Sequence, residues 1–210
     1  MIAIVDYGMG NLQSVRNAFE AIGESVRIAD GSDVIRQADR LVLPGVGAFG
    51  EGMERLRATG LVPVLEEEVR RKGKPLMGIC LGLQLLAAEG REGGRHAGLG
   101  WIPGIVDVLK PSDPGLKIPH VGWNEVEFAR DCPLSAGLRA RQDFYYTHSF
   151  RFEASARGVV VAATDYGGPF TAAVLSGSVF AVQFHPEKSQ TAGLKLLRNF
   201  AEWQPAAVHA

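Results

Sequence analysis

Cysteine is scarce: Cys80 and Cys132 are the only two among 210 residues. With no Cys-x-x-Cys pair and no clustered histidines, a disulfide framework and a metal site are not expected, nor is any cofactor, and a reducing, cytoplasmic setting fits. A long apolar run is missing too. The chain opens on the strand-like Ile2-Ala3-Ile4-Val5 with no basic leader, so neither a signal peptide nor a transmembrane helix is expected. Charge of one sign is also absent, because 22 basic and 23 acidic side chains leave a net charge of −1. The basic residues are scattered, which argues against nucleic acid or a membrane surface as partner. The one local cluster, Arg91-Glu92-Gly93-Gly94-Arg95-His96, encloses an acid and two glycines and reads as a solvated loop. Internal repeats and linkers are not evident. The remaining composition, 46% hydrophobic and 21% charged, describes one globular domain over residues 1–203, followed by a tail from Gln204 to Ala210 that reads as frayed.

In the first half, short apolar runs alternate with helical patterns, as in a mostly parallel open α/β sheet with helices on both faces. Ile2 to Val5 reads as a strand, and Asn11 can cap a helix carrying Leu12, Val15, Phe19 and Ile22 on one face, ended by Gly23. Val26 to Ile28 is a strand, Ser32 or Asp33 starts a short helix, and Arg40 to Leu43 is a strand that Pro44 should stop. Helices follow over Phe49 to Arg57 and Val62 to Arg71, punctuated by Gly60 and Gly73. The second half is β-rich, and an antiparallel subsheet is the natural reading. Its candidates are Ile105 to Leu109, Val121 to Phe128, Phe144 to Phe152, Val159 to Ala163, Thr171 to Leu175 and Val179 to Phe184. Ser176-Gly177-Ser178 should turn the last two into a hairpin, and a closing helix carries Leu194, Leu197, Phe200 and Ala201.

Between the halves lies Gly78-Ile79-Cys80-Leu81-Gly82. Pro75 to Ile79 reads as a buried strand and Gly82 to Glu89 as a helix ended by Gly90, which puts Cys80 at a strand-to-helix turn. Such an elbow exposes the side chain and aims free helix N–H groups at it, where they favour negative charge. A buried structural cysteine is the competing reading, and the glycines alone do not decide between them. A cysteine nucleophile needs a base, and the base needs an orienting acid. His185 and Glu187 follow an apolar run at strand spacing, which would put both on one face, with Pro186 fixing the exit. A lone histidine before proline is more often a loop residue than a catalyst. His209 lies in the tail and His96 in the polar loop, while His120 and His148 fit structural histidines of β stretches. Oxyanion donors are also required; the Leu81 N–H and the strand-end loop Gly45-Val46-Gly47 are candidates, a mere tight turn being the alternative for the loop.

These residues resemble class I (triad-type) glutamine amidotransferases, whose Gly-x-Cys-x-Gly elbow and His-Pro-Glu partner are similar to residues 78–82 and 185–187. Asp6 to Leu12, Leu43 to Phe49, Pro119 to Asn124 and Tyr146 to Phe150 further resemble the branch of that family serving imidazole glycerol phosphate synthesis in histidine biosynthesis. The similarity runs from about Ile4 to Phe200. It implies glutamine hydrolysis by Cys80, His185 and Glu187, with an oxyanion held by the backbone of Val46 and Leu81. Gly45, Gly47, Gln84, His148, Ser149 and Phe150 would hold the glutamine, and Leu83 stands where relatives often carry methionine. The ammonia would pass to a (β/α)₈-barrel cyclase in a heterodimer, with Asn11, Trp123, Tyr145 and Lys188 as interface candidates. The alternatives are a glutaminase serving an anthranilate, guanylate or pyridoxal phosphate synthase, a cysteine peptidase, or a non-catalytic subunit on the same scaffold. The Trp123-Asn124 stretch argues against the other synthases.

Overall fold

A computed structural model describes residues 1–128 and 132–205; the expected frayed tail, from residue 206 onward, lies outside them. The first half builds β1 (Ile2–Val5), α1 (Leu12–Ala21), β2 (Val26–Ala29), α2 (Ser32–Gln37), β3 (Arg40–Gly45), α3 (Phe49–Ala58), α4 (Val62–Leu65), β4 (Leu76–Cys80) and α5 (Leu81–Leu85). Asn11 caps α1 as its sequence position suggests, with its side-chain oxygen accepting the Ser14 N–H. The helix expected up to Arg71 is there, but its second part, Glu66–Arg71, widens into a π-helical turn.

The chain continues through the short β5 (Glu89–Gly90), β6 (His96–Ala97) and β7 (Gly104–Val108) to β8 (His120–Phe128), β9 (Arg141–His148) and β10 (Phe150–Ala154). It closes with β11 (Val160–Asp165), β12 (Pro169–Ser176), β13 (Val179–Val182) and α6 (Gln190–Glu202). One sheet runs in the order β2-β1-β3-β4-β13-β12-β11-β8-β9. Its five strands from β2 to β13 are parallel and its last four antiparallel. The hairpin between β12 and β13 forms as expected. Helices cover both faces. Along β3, Leu41 and Leu43 enter one apolar cluster and Val42 the other, and β1 alternates likewise. That is the period of two expected of a strand buried on both sides. Among the described residues no helix is long and apolar enough to cross a membrane.

Four expectations need correction. β3 does not stop at Pro44 but continues to Gly45, paired with Cys80. Its pairing with β1 ends at Val42, so on that edge a residue without an N–H costs no ladder bond. The stretch Phe144 to Phe152 is two strands rather than one, because the chain leaves the large sheet at Ser149, whose carbonyl accepts the Leu109 N–H. The antiparallel subsheet of the second half forms from β12, β11, β8 and β9, but the stretches of β7 and β10 are not part of it: β10, β7, β5 and β6 form a second sheet in which β5 and β7 are parallel. Finally, α5 ends at Leu85 instead of running to Glu89. The Ala88 N–H is already bonded to the Gly104 carbonyl, which draws the backbone into the second sheet.

Candidate active site

Cys80 ends β4, an inner strand of the parallel half flanked by β3 and β13. Its backbone is left-handed, with φ 54° and ψ −107°, a conformation that costs a non-glycine residue about 1–3 kcal/mol. The neighbours enforce it. Gly82 brings α5 so close to β3 that a Cβ there would overlap the Leu43 carbonyl, and one at Gly78 would press on Ala181. The sequence-level elbow is therefore real, although the thiol is not openly exposed: Cys80 retains 6% of its surface, at the floor of a cleft of about 490 Å³.

Val46, Gly47, Leu81, Gln84, His148, Ser149 and Phe150 line that cleft with Cys80. Gly45 does not. It lies behind the wall, where a Cβ would collide with the Tyr7 hydroxyl and Leu81, so it lets the loop approach the elbow rather than touching a ligand. Gly47 has φ +106°, the conformation glycine tolerates best. Leu81 is the first residue of α5, where backbone N–H groups lack acceptors inside the helix.

His185 and Glu187 meet behind the thiol, His185 Nδ1 lying 2.8 Å from Glu187 Oε1. They do so differently from the strand-spacing expectation. β13 ends at Val182, and Pro186–Lys188 form a 3₁₀ turn that folds the carboxylate back onto the ring. The turn is clamped to β9: the His185 N–H donates to the Tyr145 carbonyl at 2.8 Å, and Ser189 Oγ receives the Tyr145 N–H while donating to the His185 carbonyl. With Nδ1 engaged by Glu187, Nε2 is the ring nitrogen left for the thiol; it makes no hydrogen bond among the described residues. Burial works to lower the His185 pKa, but the Cys80 sulfur and then the Glu187 carboxylate outweigh it and raise the value to about 10.

The sequence reading missed several groups. Gln183 is fully buried, and its Nε2 points to Cys80 Sγ at 3.7 Å; its place two residues before His185 was the available signal. Glu92 lines the cleft and accepts the Phe49 N–H at 2.8 Å, so the polar loop of residues 91–96 is not merely solvated but contributes a wall. Pro119 and Thr147 also line it. Among the described residues no group of three histidine, cysteine or acidic side chains gathers as metal ligands.

Three of the four interface candidates cluster. Trp123 pairs with Tyr145 across β8 and β9, their rings 6.1 Å apart and edge-on, and Lys188 Nζ lies 5.9 Å from the Tyr145 ring. Asn11 is exposed at the start of α1, which packs against the Pro186–Lys188 turn.

A family model described as "Glutamine amidotransferase class-I" matches residues 3–203. The chain is 48% identical over 209 residues to a protein of Zymomonas mobilis subsp. mobilis named "Imidazole glycerol phosphate synthase subunit HisH", covering 97% of this chain and 96% of that one. A protein of Caulobacter vibrioides with the same name is 46% identical, with 97% and 99% covered. Among solved structures, "Crystal structure of glutamine amidotransferase" superposes with a TM-score of 0.74 at 22% identity, covering 96% of this chain and 98% of that one. At that identity the likeness is one of fold.

Proposed function

The chain belongs to the class I glutamine amidotransferases, and from that membership we propose how its own residues hydrolyse glutamine. Cys80 Sγ attacks the side-chain amide carbon of glutamine, and the Val46 and Leu81 N–H groups receive the tetrahedral oxyanion. His185 Nε2 gives its proton to the departing nitrogen, so the C–N bond breaks and ammonia leaves a γ-glutamyl thioester on the sulfur. Water then attacks the thioester carbon while His185 takes its proton; the C–S bond breaks and glutamate is released. Glu187 holds the ring by Nδ1 and balances its positive charge. Gln84 and the backbone of Gly47, His148, Ser149 and Phe150 hold the glutamine, while Gly45 shapes the loop above it.

The chain is a glutaminase, and it is the glutaminase subunit of an imidazole glycerol phosphate synthase in histidine biosynthesis. The partner that takes up the ammonia is a (β/α)₈-barrel cyclase, docked on the surface of Asn11, Trp123, Tyr145 and Lys188, and the reaction runs in the cytoplasm. Free ammonia would be protonated or lost in water, which gives a reason for passing it through a dry interface.

The observation that carries this reading is the strained Cys80 at the floor of the cleft with the His185–Glu187 pair buried behind it. The test is glutamate release with and without the cyclase and its phosphorylated nucleotide substrate. Release should rise when both are present and vanish in Cys80→Ala, whose complex still forms. Equal, negligible release in both conditions would overturn the reading. Selective labelling of Cys80 by a glutamine analogue separates a glutaminase from a peptidase or an inert subunit.

A further inference from the structure

Two runs of hydrogen bonds, one from β8 and one from the side of the nucleophile, converge on the Phe150 carbonyl. His120 and His148 stand opposite each other on β8 and β9, with His120 Nδ1 2.9 Å from His148 Nε2. His148 Nδ1 lies 2.9 Å from the Phe150 carbonyl oxygen. The polarity follows by elimination. A carbonyl only accepts, so His148 Nδ1 carries the hydrogen; in a neutral ring Nε2 then accepts, and His120 Nδ1 must donate to it. His120 Nε2 is left as an acceptor, and Asn124 Nδ2 stands 3.3 Å away to fill it. Burial keeps both rings neutral, with pKa values near about 4.

Both ends of this chain are anchored. Asn124 Nδ2 also donates to the Asp165 carbonyl at 2.9 Å, and Asn124 Oδ1 accepts the Glu125 N–H at 2.8 Å, which fixes the amide orientation. At the other end the Phe150 carbonyl is shared with Gln84 Nε2 at 3.0 Å; that nitrogen also reaches Gln183 Oε1 at 3.1 Å, and Gln183 Nε2 points to Cys80 Sγ at 3.7 Å. The His120 ring is stacked on Tyr146 and Tyr166, at centroid distances of 4.7 and 4.0 Å. His120, His148, Gln84 and Gln183 are all buried, His148 and Gln84 at the wall of the cleft. Each ring and amide therefore has one orientation available, and the two runs share the position of the Phe150 carbonyl on which both end.

Resting on the glutaminase reading, we propose that His120 and Asn124 are positioning residues for glutamine hydrolysis. They hold His148 so that the Phe150 carbonyl fixes Gln84, and through Gln84 the Gln183 amide is aimed at the sulfur. Neither residue touches the substrate; both act through the wall that does.

Histidine labelled with ¹⁵N in the intact chain tests the chain of bonds itself. At pH 7 both rings should be neutral and carry hydrogen on Nδ1, the tautomer that free imidazole side chains disfavour. An Nε2–H signal from either ring overturns the proposal. Kinetics of the assembled complex test the role. His120→Phe keeps the stack but removes the donor to His148, and should raise the KM for glutamine about tenfold while kcat changes less than about threefold, since the wall acts in ground-state binding. His120→Asn, whose amide can stand in for the Nδ1 donor, should recover most of that loss. Asn124→Ala, at a half-buried position, should raise KM about threefold. Wild-type KM in both His120→Phe and Asn124→Ala, or no rescue by asparagine, overturns the proposal. A wild-type complex that released no glutamate would overturn the glutaminase reading instead, while the tautomer spectra would still decide the hydrogen-bond chain.

Discussion

His185 Nδ1 lies 2.8 Å from Glu187 Oε1, and each side chain keeps only 2% of its surface. Burial alone would depress the imidazole pKa, so a raised value has to come from the groups around the ring, and Cys80 is the larger of the two that raise it. A ring protonated at rest is ready to give Nε2–H to a departing nitrogen. Replacing Cys80 with alanine should therefore lower the His185 midpoint from about 10, read by NMR titration. A midpoint unchanged by the loss of the sulfur would place the origin of the shift elsewhere.

Glu187→Gln keeps the shape of the pair and removes its charge. The expected loss in kcat is about a hundredfold or more, by analogy with orienting carboxylates of nucleophile–histidine sites. The variant also has a signature in stability. A histidine whose folded pKa is raised above the ordinary 6.5 contributes stability that is complete below that pH and lost as pH rises through about 10. The melting-temperature difference between wild type and Glu187→Gln should accordingly shrink from pH 7 towards pH 10. A difference that held constant over that range would mean the pair is not the charged one described.

How much of this was legible in the sequence depends on the range of the forces involved. The elbow is legible because it is local: a buried strand, glycines on either side of Cys80 and a helical pattern after it dictate the turn. The His185–Glu187 contact is legible in outcome but not in route, since whether residues 185–187 continue a strand or curl into a 3₁₀ turn is set with Tyr145, which reaches from β9 to bond both the His185 N–H and Ser189 Oγ. Gln183 and Glu92 were missed for a related reason. Nothing near Glu92 says that it faces the cleft, and for Gln183 the one local hint is its place two residues before His185. The opposition of His120 and His148 needs the register of β8 and β9, and the early end of α5 needs the second sheet.

Gly82→Ala tests the elbow without touching a chemical group. The new methyl would overlap the Leu43 carbonyl, which is backbone of a buried strand and has little room to retreat. Overpacking of this kind costs about 1–3 kcal/mol or more. Relief can come from moving the first turn of α5, and with it Cys80. Denaturant unfolding should register the loss, and glutamate release should fall further than the stability loss explains. Normal turnover in a folded Gly82→Ala protein would mean that the close approach does not set the position of the nucleophile.

Trp123 discriminates between a core aromatic and an interface anchor. It is 48% exposed, and on the same strand Val121 is 56% exposed, an unusual pair of apolar side chains to leave in water on β8. The ring meets Tyr145 edge-on, and Lys188 lies over the other ring, so removing Trp123 would uncover a patch that continues to the turn bearing Glu187. Exposed aromatics flanked by a cation are the kind of residue that dominates binding energy once a partner excludes water from them, at about 2 kcal/mol or roughly thirtyfold in Kd. Trp123→Ala should thus weaken the complex with the cyclase about thirtyfold by calorimetry and leave the melting temperature of the isolated chain nearly unchanged. At saturating partner the glutaminase rate should return. The opposite pattern, a large fall in melting temperature with an unaltered Kd, would assign Trp123 to the packing of β8 on β9 and move the docking surface elsewhere.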